Sequence, residues 1–210
     1  MGETRTAAVQ YCLIGGNVSH SPSPAMMNAA FSAAGIRATY LTVNVEVGQL
    51  PEKFRELKQA GVRGMNVTIP FKNSIMPLLD KLDEVSSRIG AVNVVESRNG
   101  KYTGHNTDVD GVMGPLSARF PDLLLRHSLV LGAGGASRAF LEAMRRMGCA
   151  KVTVAVRDKS RAATFIEEMT RACEGLEIEL RSLRECGSIR SSGSSVAAQK
   201  NWEGVESRLG

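Results

Sequence analysis

Residues 128–138 read Ser-Leu-Val-Leu-Gly-Ala-Gly-Gly-Ala-Ser-Arg, and this stretch decides the fold of the C-terminal half. An apolar run ends at Gly132, and residues 136–147 then have helical spacing up to Gly148. Two glycines between a buried strand and a helix are the context of a dinucleotide-binding turn. The first glycine permits a tight turn, and the second lets the backbone approach a pyrophosphate held by the helix N-terminus. Ser137 stands where the common fingerprint has Gly or Ala.

The end of the next predicted strand, residues 151–156, bears on the choice of cofactor. It is followed by Arg157-Asp158-Lys159-Ser160-Arg161. An arginine at this place accommodates the 2′-phosphate of NADP, whereas an acidic residue takes the free ribose hydroxyl of NAD. Arg157 and Arg161 favour NADP. Asp158 suits a helix N-cap and also a ribose hydroxyl, so NAD stays open.

Strands alternate with helices in the N-terminal half as well. Strands are predicted at residues 11–14, 39–45, 64–68 and 91–97, and helices at 23–34 and 50–60 and from Pro70 onwards. Asn99-Gly100 predicts a hairpin that pairs residues 101–104 antiparallel to the preceding strand. The whole pattern indicates an α/β protein with mainly parallel sheets. We expect two domains, residues 1–111 and a partial dinucleotide-binding domain at 112–183, followed by a Ser-rich, disordered tail at 184–210.

Composition and charge favour an ordinary soluble globular protein over a nucleic-acid binder. The 210 residues carry a net charge of +5, but Lys and Arg are scattered among acidic residues rather than clustered with aromatics. The four cysteines, at 12, 149, 173 and 186, lack metal-clip spacing and are interpreted as thiols in a reducing compartment. Without a signal peptide or a long apolar run, the expected location is the cytoplasm, with no membrane or metal partner.

Polar residues at predicted strand ends form the candidate site of the N-terminal half. Ser21 and Ser23 stand at the start of a helix, where Ser23 is the expected N-cap and hydroxyls and amides can hold a carboxylate. Lys72 is predicted in the first turn of the helix from Pro70, where the helix dipole would favour acid–base chemistry. Asn93 and Asp108 follow further strands.

Five blocks in order resemble the signatures of the shikimate dehydrogenase family. They are Ser21-Pro22-Ser23-Pro24, Asn66-Val67-Thr68-Ile69-Pro70-Phe71-Lys72, Gly90-Ala91-Val92-Asn93, Asn106-Thr107-Asp108 and Gly132-Ala133-Gly134-Gly135-Ala136-Ser137-Arg138. The resemblance covers residues 11–161. It implies a substrate domain and a Rossmann-like domain with the active site between them, and reversible reduction of 3-dehydroshikimate to shikimate by NADPH.

The resemblance also implies a role for each matching residue. Ser21 and Ser23 would bind the substrate carboxylate. Lys72, paired with Asp108, would be the catalytic acid–base group. The ring hydroxyls would be held by Thr68, Lys72, Asn93 and Asp108. The pyrophosphate would lie on Gly132, Ala133, Gly134, Gly135 and Ala136, with Arg157 and Arg161 at the 2′-phosphate.

Three departures from the family pattern leave alternatives open. Met27 stands where many relatives have His, and Val156 where NADP-dependent relatives often have Asn. The family's later blocks do not follow residue 183, which suggests a chain truncated or frameshifted near Leu183. The alternatives are a quinate/shikimate dehydrogenase that uses NAD, an inactive remnant that only binds shikimate, and a basic interaction module. The resemblance implies a monomer or homodimer.

Overall fold

The structure, a computed structural model, describes residues 9–122, 124–188 and 196–198, without the side chains of residues 186–188 and 196–198. The chain divides into a first unit that ends at Asn106 and a second that begins at Thr107. The boundary predicted after residue 111 therefore falls within a helix of the second unit, Asp108–Arg119. Each unit has its own sheet.

The first unit is a mixed sheet with helices between its strands. Its elements in chain order are β1 (Val9–Gly15), α1 (Ser23–Ala33), β2 (Ala38–Asn44), α2 (Leu50–Gln59), β3 (Gly64–Val67), β4 (Lys81–Leu82), α3 (Glu84–Ile89), β5 (Val94–Arg98) and β6 (Lys101–His105). The strand order is β2-β1-β3-β5-β6-β4. β1 pairs parallel to both β2 and β3, and the predicted β5–β6 hairpin pairs antiparallel. The α/β fold is confirmed.

The main core of the first unit lies on one face of this sheet. Alternating strand residues such as Ile14 and Val67 point to that face and pack with Phe54 of α2. Cys12 belongs to the same cluster and is buried, where it packs as a small hydrophobic side chain. On the opposite face, a smaller cluster around Tyr40 packs against Phe31 of α1. The larger cluster therefore fixes the strands, and their carboxyl ends carry the loops of the candidate site.

The helix predicted from Pro70 is wrong. Residues 70–75 form turns, and a short 3₁₀-helix follows at Met76–Leu78. The carbonyl of Lys72 accepts from the amide of Val92 at 2.8 Å instead of from a following helical amide. At Lys72, a hydrogen bond to a residue distant in the chain thus takes the place of the i to i+4 bond of a helix. Because a macrodipole needs several aligned peptide groups, the expected effect of a helix dipole on Lys72 has no basis here.

Smaller differences concern the ends of helices. α1 begins at Ser23 with Pro22 as its N-cap, one residue before the expected cap, and Gly35 with φ +66° ends it as predicted. The short α3 was not predicted, although Asp83 caps it by accepting from the amide of Ser86 at 2.7 Å. At six residues, α3 is too short for periodicity to reveal it.

The second unit is a parallel sheet with its helices. Its elements are α4 (Asp108–Arg119), β7 (His127–Leu131), α5 (Gly135–Arg146), β8 (Lys151–Val156), α6 (Lys159–Ala172), β9 (Glu177–Ser182), a 3₁₀-helix at Leu183–Ser188 and β10 (Val196–Ala198). The order β10-β7-β8-β9 places β10 beside β7. Two described segments, 184–188 and 196–198, thus have regular structure within the tail that was predicted to be disordered. The rest of that tail lies outside the described residues.

A buried carboxylate in the C-terminal half of α5 accepts hydrogen bonds from two arginines of the same helix. Glu142 is fully buried and accepts from Arg145 at 2.8 and 2.9 Å and from Arg146 at 2.7 Å. Burial by itself would raise the pKa of Glu142, but the hydrogen bonds and charges of the two arginines outweigh it and lower the pKa. The charged form is therefore the one that the fold stabilises.

We predict that Glu142→Gln lowers the free energy of unfolding by about 1–3 kcal/mol at neutral pH, because a neutral amide cannot satisfy two guanidinium groups. A lowered folded-state pKa contributes stability above the unfolded-state pKa, and this is lost as pH falls through the folded-state value. The difference in melting temperature between wild type and variant should therefore shrink below about pH 4.5. Glu174→Gln, at an exposed residue, is the control. An equal difference at neutral and acid pH would contradict the prediction.

Candidate active site

Backbone hydrogen bonds gather the loops at the carboxyl ends of β1 and β3. The amide of Thr68 donates to the carbonyl of Ile14 at 2.9 Å, so the β1–β3 pairing extends one residue past β3. The amide of Gly16 donates to the carbonyl of Ile69 at 3.0 Å, which ties the next loop back to the same segment. Residues after β1 and β3 are therefore neighbours, as expected where parallel strands end at one edge.

The segment 90–93 joins this edge through two further bonds. The amide of Val67 donates to the carbonyl of Asn93 at 2.8 Å, and the amide of Val92 donates to that of Lys72 at 2.8 Å. Thr68, Lys72 and Asn93, all half-buried, are thereby brought to one place by main-chain contacts. The structure thus groups these three predicted substrate residues within the first unit.

The two predicted carboxylate-binding serines contact each other. The hydroxyl of Ser21 donates to that of Ser23 at 2.9 Å and accepts from the Ser23 amide at 3.2 Å. Two hydroxyls and an amide are thus close together at the start of α1, which suits an anionic oxygen. The amide of Ser21 is fixed in turn by the carbonyl of Val18 at 3.0 Å.

Asn44, at the end of β2, holds the loop that carries these serines. Its Oδ1 accepts from the amide of Val18 at 2.7 Å, and its Nδ2 donates to the hydroxyl of Ser19. Nothing in the local sequence singled out Asn44, because its partners lie 26 and 25 residues away in the chain. The only feature of the sequence that could have pointed to Asn44 is its place at the carboxyl end of a predicted strand.

The predicted cofactor loop of the second unit has the geometry of a phosphate-binding turn. Gly132 has φ +96°, a conformation that favours glycine. Gly134 is the N-cap of α5, and within the described residues no side chain caps that helix. Amides of its first turn are consequently available to a pyrophosphate. Gly132, Ala133, Gly134 and Gly135 are half-buried and Ala136 is exposed.

Ser137 explains the imperfect fingerprint. Its side chain is buried, and its hydroxyl donates to the carbonyl of Gly132 at 2.9 Å. The residue that departs from the common pattern therefore closes the loop across its own turn. The close packing that Gly or Ala would provide at this position is replaced by a hydrogen bond.

The junction of β8 and α6 carries the residues predicted to choose the cofactor. Asp158 is the N-cap of α6 and accepts from the amide of Ser160 at 2.9 Å and from its hydroxyl at 2.6 Å. The hydrogen bond from the Ser160 hydroxyl is the largest cause of a lowered pKa for Asp158. Arg157 and Arg161 are exposed on either side, and Arg161 Nε lies 3.6 Å from Asp158 Oδ2. The capping role predicted for Asp158 is thus present.

Asp108, the remaining predicted site residue, is the first residue of α4 and belongs to the second unit. It is half-buried, and Asp110 lies in the same helical turn. Its predicted pairing with Lys72 stays a prediction.

The comparisons with known proteins identify the family of the chain. The family profile "Shikimate dehydrogenase substrate binding domain" matches residues 13–95. The shikimate dehydrogenase (NADP(+)) of Aquifex aeolicus is 43% identical over 158 residues, covering 75% of this chain and 58% of that protein. The shikimate 5-dehydrogenase of Thermus thermophilus, solved with NADP(H) and shikimate, is 33% identical with a TM-score of 0.69, covering 83% of this chain and 68% of that one. The chain belongs to the shikimate dehydrogenase family.

The chain is shorter than its relatives in the family. It spans between 51% and 58% of the length of the Moorella thermoacetica and Aquifex aeolicus enzymes, the former being 42% identical over 150 residues. Quinate dehydrogenase from Corynebacterium glutamicum, solved with NAD, has a TM-score of 0.80 at 28% identity, covering 91% of this chain and 70% of that one. Likeness of fold in this family therefore extends over members described with different substrates and cofactors.

A groove of about 600 Å³ on the first unit is lined by residues that include Asn66 but not Ser21, Ser23 or Lys72. Aromatic residues such as Tyr11 and Phe31 line it together with Arg63 and Glu96.

In the described part of the chain, no helix is long and apolar enough to cross a membrane. Within those same residues, no cluster of three His, Cys, Asp or Glu side chains could hold a metal ion.

We predict that Gly15→Ala destabilises the first unit by about 1–3 kcal/mol, the usual cost of overpacking. A Cβ at Gly15 would lie 2.3 Å from Cγ1 of Val18 and 2.6 Å from Cγ2 of Thr68, so these side chains or the backbone must shift. Urea unfolding measures the change. Gly114→Ala in α4 is the control, because a Cβ there meets nothing within 4 Å. Equal stability of Gly15→Ala and wild type would contradict the prediction and show that the site can take up a Cβ without strain.

Proposed function

We propose that this chain reduces 3-dehydroshikimate to shikimate with NADPH, reversibly, as a shikimate dehydrogenase of the route to chorismate and the aromatic amino acids. The observation that carries the proposal is the grouping of Thr68, Lys72 and Asn93 by main-chain bonds at one edge of the sheet. Membership of the family supports it, as does a relative solved with NADP(H) and shikimate.

The proposed substrate contacts follow from the chemistry of the side chains. Ser21 and Ser23 offer hydroxyl donors at a helix start and would hold the substrate carboxylate. Thr68 and Asn93 offer a hydroxyl and an amide, which can both donate to and accept from ring hydroxyls. Fixed by the loop bonds described above, they would orient the ring so that its ketone faces Lys72.

Lys72 is the proposed acid–base residue, with Asp108 as its partner. When bound, NADPH supplies the hydride that adds to the ketone carbon. Negative charge then develops on the ketone oxygen, where the Lys72 ammonium would stabilise it and deliver a proton. In the reverse direction the Lys72 amine would accept the proton of that hydroxyl. Asp108 would orient the ammonium towards the ketone oxygen.

NADP is the proposed cofactor. The glycine loop from Gly132 to Ala136 would hold the pyrophosphate, since the positive φ of Gly132 and the uncapped start of α5 among the described residues fit that group. Arg157 and Arg161 would bind the 2′-phosphate, which their exposed guanidinium groups can approach. The proposed partners are thus small molecules, with the protein acting in the cytoplasm as a monomer or homodimer and without nucleic acid or membrane.

A second candidate is a quinate/shikimate dehydrogenase that uses NAD. The high TM-score to a quinate dehydrogenase solved with NAD favours it, as does Asp158 at the end of β8. Against it, the carboxylate of Asp158 already accepts hydrogen bonds from Ser160. A third candidate is an inactive protein that only binds shikimate, and the match of residues 13–95 to the substrate-binding domain profile is the observation in its favour.

We predict that the purified chain oxidises NADPH in the presence of 3-dehydroshikimate, and that Lys72→Ala lowers kcat at least about 10²-fold, the usual contribution of a general acid. The fall in NADPH absorbance measures the rate. Lys101→Ala, at an exposed lysine of the β5–β6 hairpin, is the matched control and should keep wild-type activity. Shikimate binding by calorimetry without turnover would support the inactive candidate. Absence of both turnover and binding would rule out the proposed function.

We predict that the double variant Arg157→Ala/Arg161→Ala raises the Kd for NADPH at least about tenfold while leaving the Kd for NADH nearly unchanged. The reason is that only NADPH carries the phosphate that the guanidinium groups would bind. Fluorescence titration of both cofactors measures the effect, with Arg171→Ala, an exposed arginine in the last turn of α6, as the control. Equal losses for the two cofactors would argue against a 2′-phosphate site here and for the NAD-dependent candidate.

A further inference from the structure

Asn106, the last residue of the first unit, is a buried polar residue to which the proposed mechanism assigns no part. Only 5% of its surface is exposed, and its Nδ2 donates to the carbonyl of Ala91 at 2.9 Å. A buried carboxamide without a partner would lose its hydrogen bonds to water and gain none in return, so this contact matters to the fold. Ala91 itself is fully buried.

The contact lies where the β5–β6 ladder has ended. The last residue pair of that ladder is Val94 with His105, and the amide of Asn93 still donates to the carbonyl of His105 at 3.0 Å. Further back along the chain, the carbonyl of Ala91 is held by a side chain of the facing segment, that of Asn106. The Asn106 side chain thus extends the contact between the two chain segments beyond the last β5–β6 residue pair, to Ala91 in the segment 90–93.

That segment sets the separation of two proposed substrate-binding residues. Its Val92 amide holds the carbonyl of Lys72, and its last residue is Asn93, whose carbonyl accepts from Val67. A shift of Ala91 would be passed to the backbone of Lys72 through one residue and one hydrogen bond. The Asn106 carboxamide therefore bears on where the ammonium of Lys72 lies relative to the side chain of Asn93.

We propose that Asn106 is a positioning residue for the reaction. By holding the carbonyl of Ala91, its side chain keeps Lys72 and Asn93 at the spacing that the transition state requires, without touching the substrate. This inference rests on the proposed function. Misplacement of the acid–base group should affect the transition state more than substrate binding, and so kcat more than KM.

Asn106→Asp tests this, because a carboxylate has nearly the same shape but cannot donate to a carbonyl. At about pH 8 we expect kcat to fall about tenfold with a smaller change in KM. As the pH falls towards about 5, the introduced carboxyl takes up a proton and can donate again, so the ratio of variant to wild-type kcat should rise towards one. Asn99→Asp, the same change at the exposed hairpin turn, should match wild type at every pH.

Three results would overturn the inference. The first is an Asn106→Asp variant with wild-type kcat at about pH 8, and the second is a deficit that does not change with pH. The third is that Asn106→Asp and a second variant, Asn106→Ser, both fail to fold while Asn99→Asp folds, which would make the role purely structural.

The same variants separate this inference from the proposed function. If the wild type binds shikimate without turnover, its Kd is compared instead. We then expect Asn106→Asp to weaken binding about threefold at about pH 8, with recovery at lower pH, and an unchanged Kd would overturn the inference. A wild type that neither binds nor turns over shikimate would overturn the proposed function itself, and the proposed role of Asn106 with it.

Discussion

The close approach of three backbone segments at Gly15 is the constraint on which the first unit depends. β1 lies between β2 and β3, so the chain leaving its carboxyl end must pass between the loops that follow both neighbours. The side chains of Val18, in the loop after β1, and Thr68, after β3, leave no room for a Cβ at Gly15. The carbonyl of Gly15 accepts from the amide of Val45, after β2, at 2.9 Å. Because the passage is so narrow, main-chain groups can bond across it, and side chains such as that of Asn44 add further hydrogen bonds.

The loops of the second unit are fixed by local side-chain hydrogen bonds rather than by bonds between distant segments. Its turn after β7 is closed by the Ser137 hydroxyl, and the next helix start is closed by the Asp158 carboxylate. Both are short-range contacts within one strand–turn–helix passage. The buried Glu142 then pairs with Arg145 and Arg146 within the C-terminal half of the same helix, α5. The loop geometry there is thus a local property, whereas the substrate-side edge depends on contacts between distant segments.

This difference explains which parts of the molecule the sequence could predict. Local signals were sufficient for the hairpin at Asn99-Gly100, the helix ends at Gly35 and Gly61, and the glycine turn, because each depends on residues a few positions apart. They failed at residues 70–75, where a helix was expected but the carbonyl of Lys72 is bound by Val92, twenty residues later. They also gave no sign of Asn44, and they marked Asn106 only as part of a signature block without its bond to Ala91, since an asparagine that holds a distant loop resembles any other asparagine.

The use of main-chain groups at the substrate edge has an evolutionary consequence. A bond between the amide of Val92 and the carbonyl of Lys72 requires neither valine nor lysine, so most side chains of these loops can drift while the architecture persists. Selection would then act on a few positions only: the glycine that must stay small, the asparagines that bridge loops, and the groups that meet the substrate. Substrate and cofactor preference could therefore change through a few side-chain substitutions while the main-chain structure of the loops is kept.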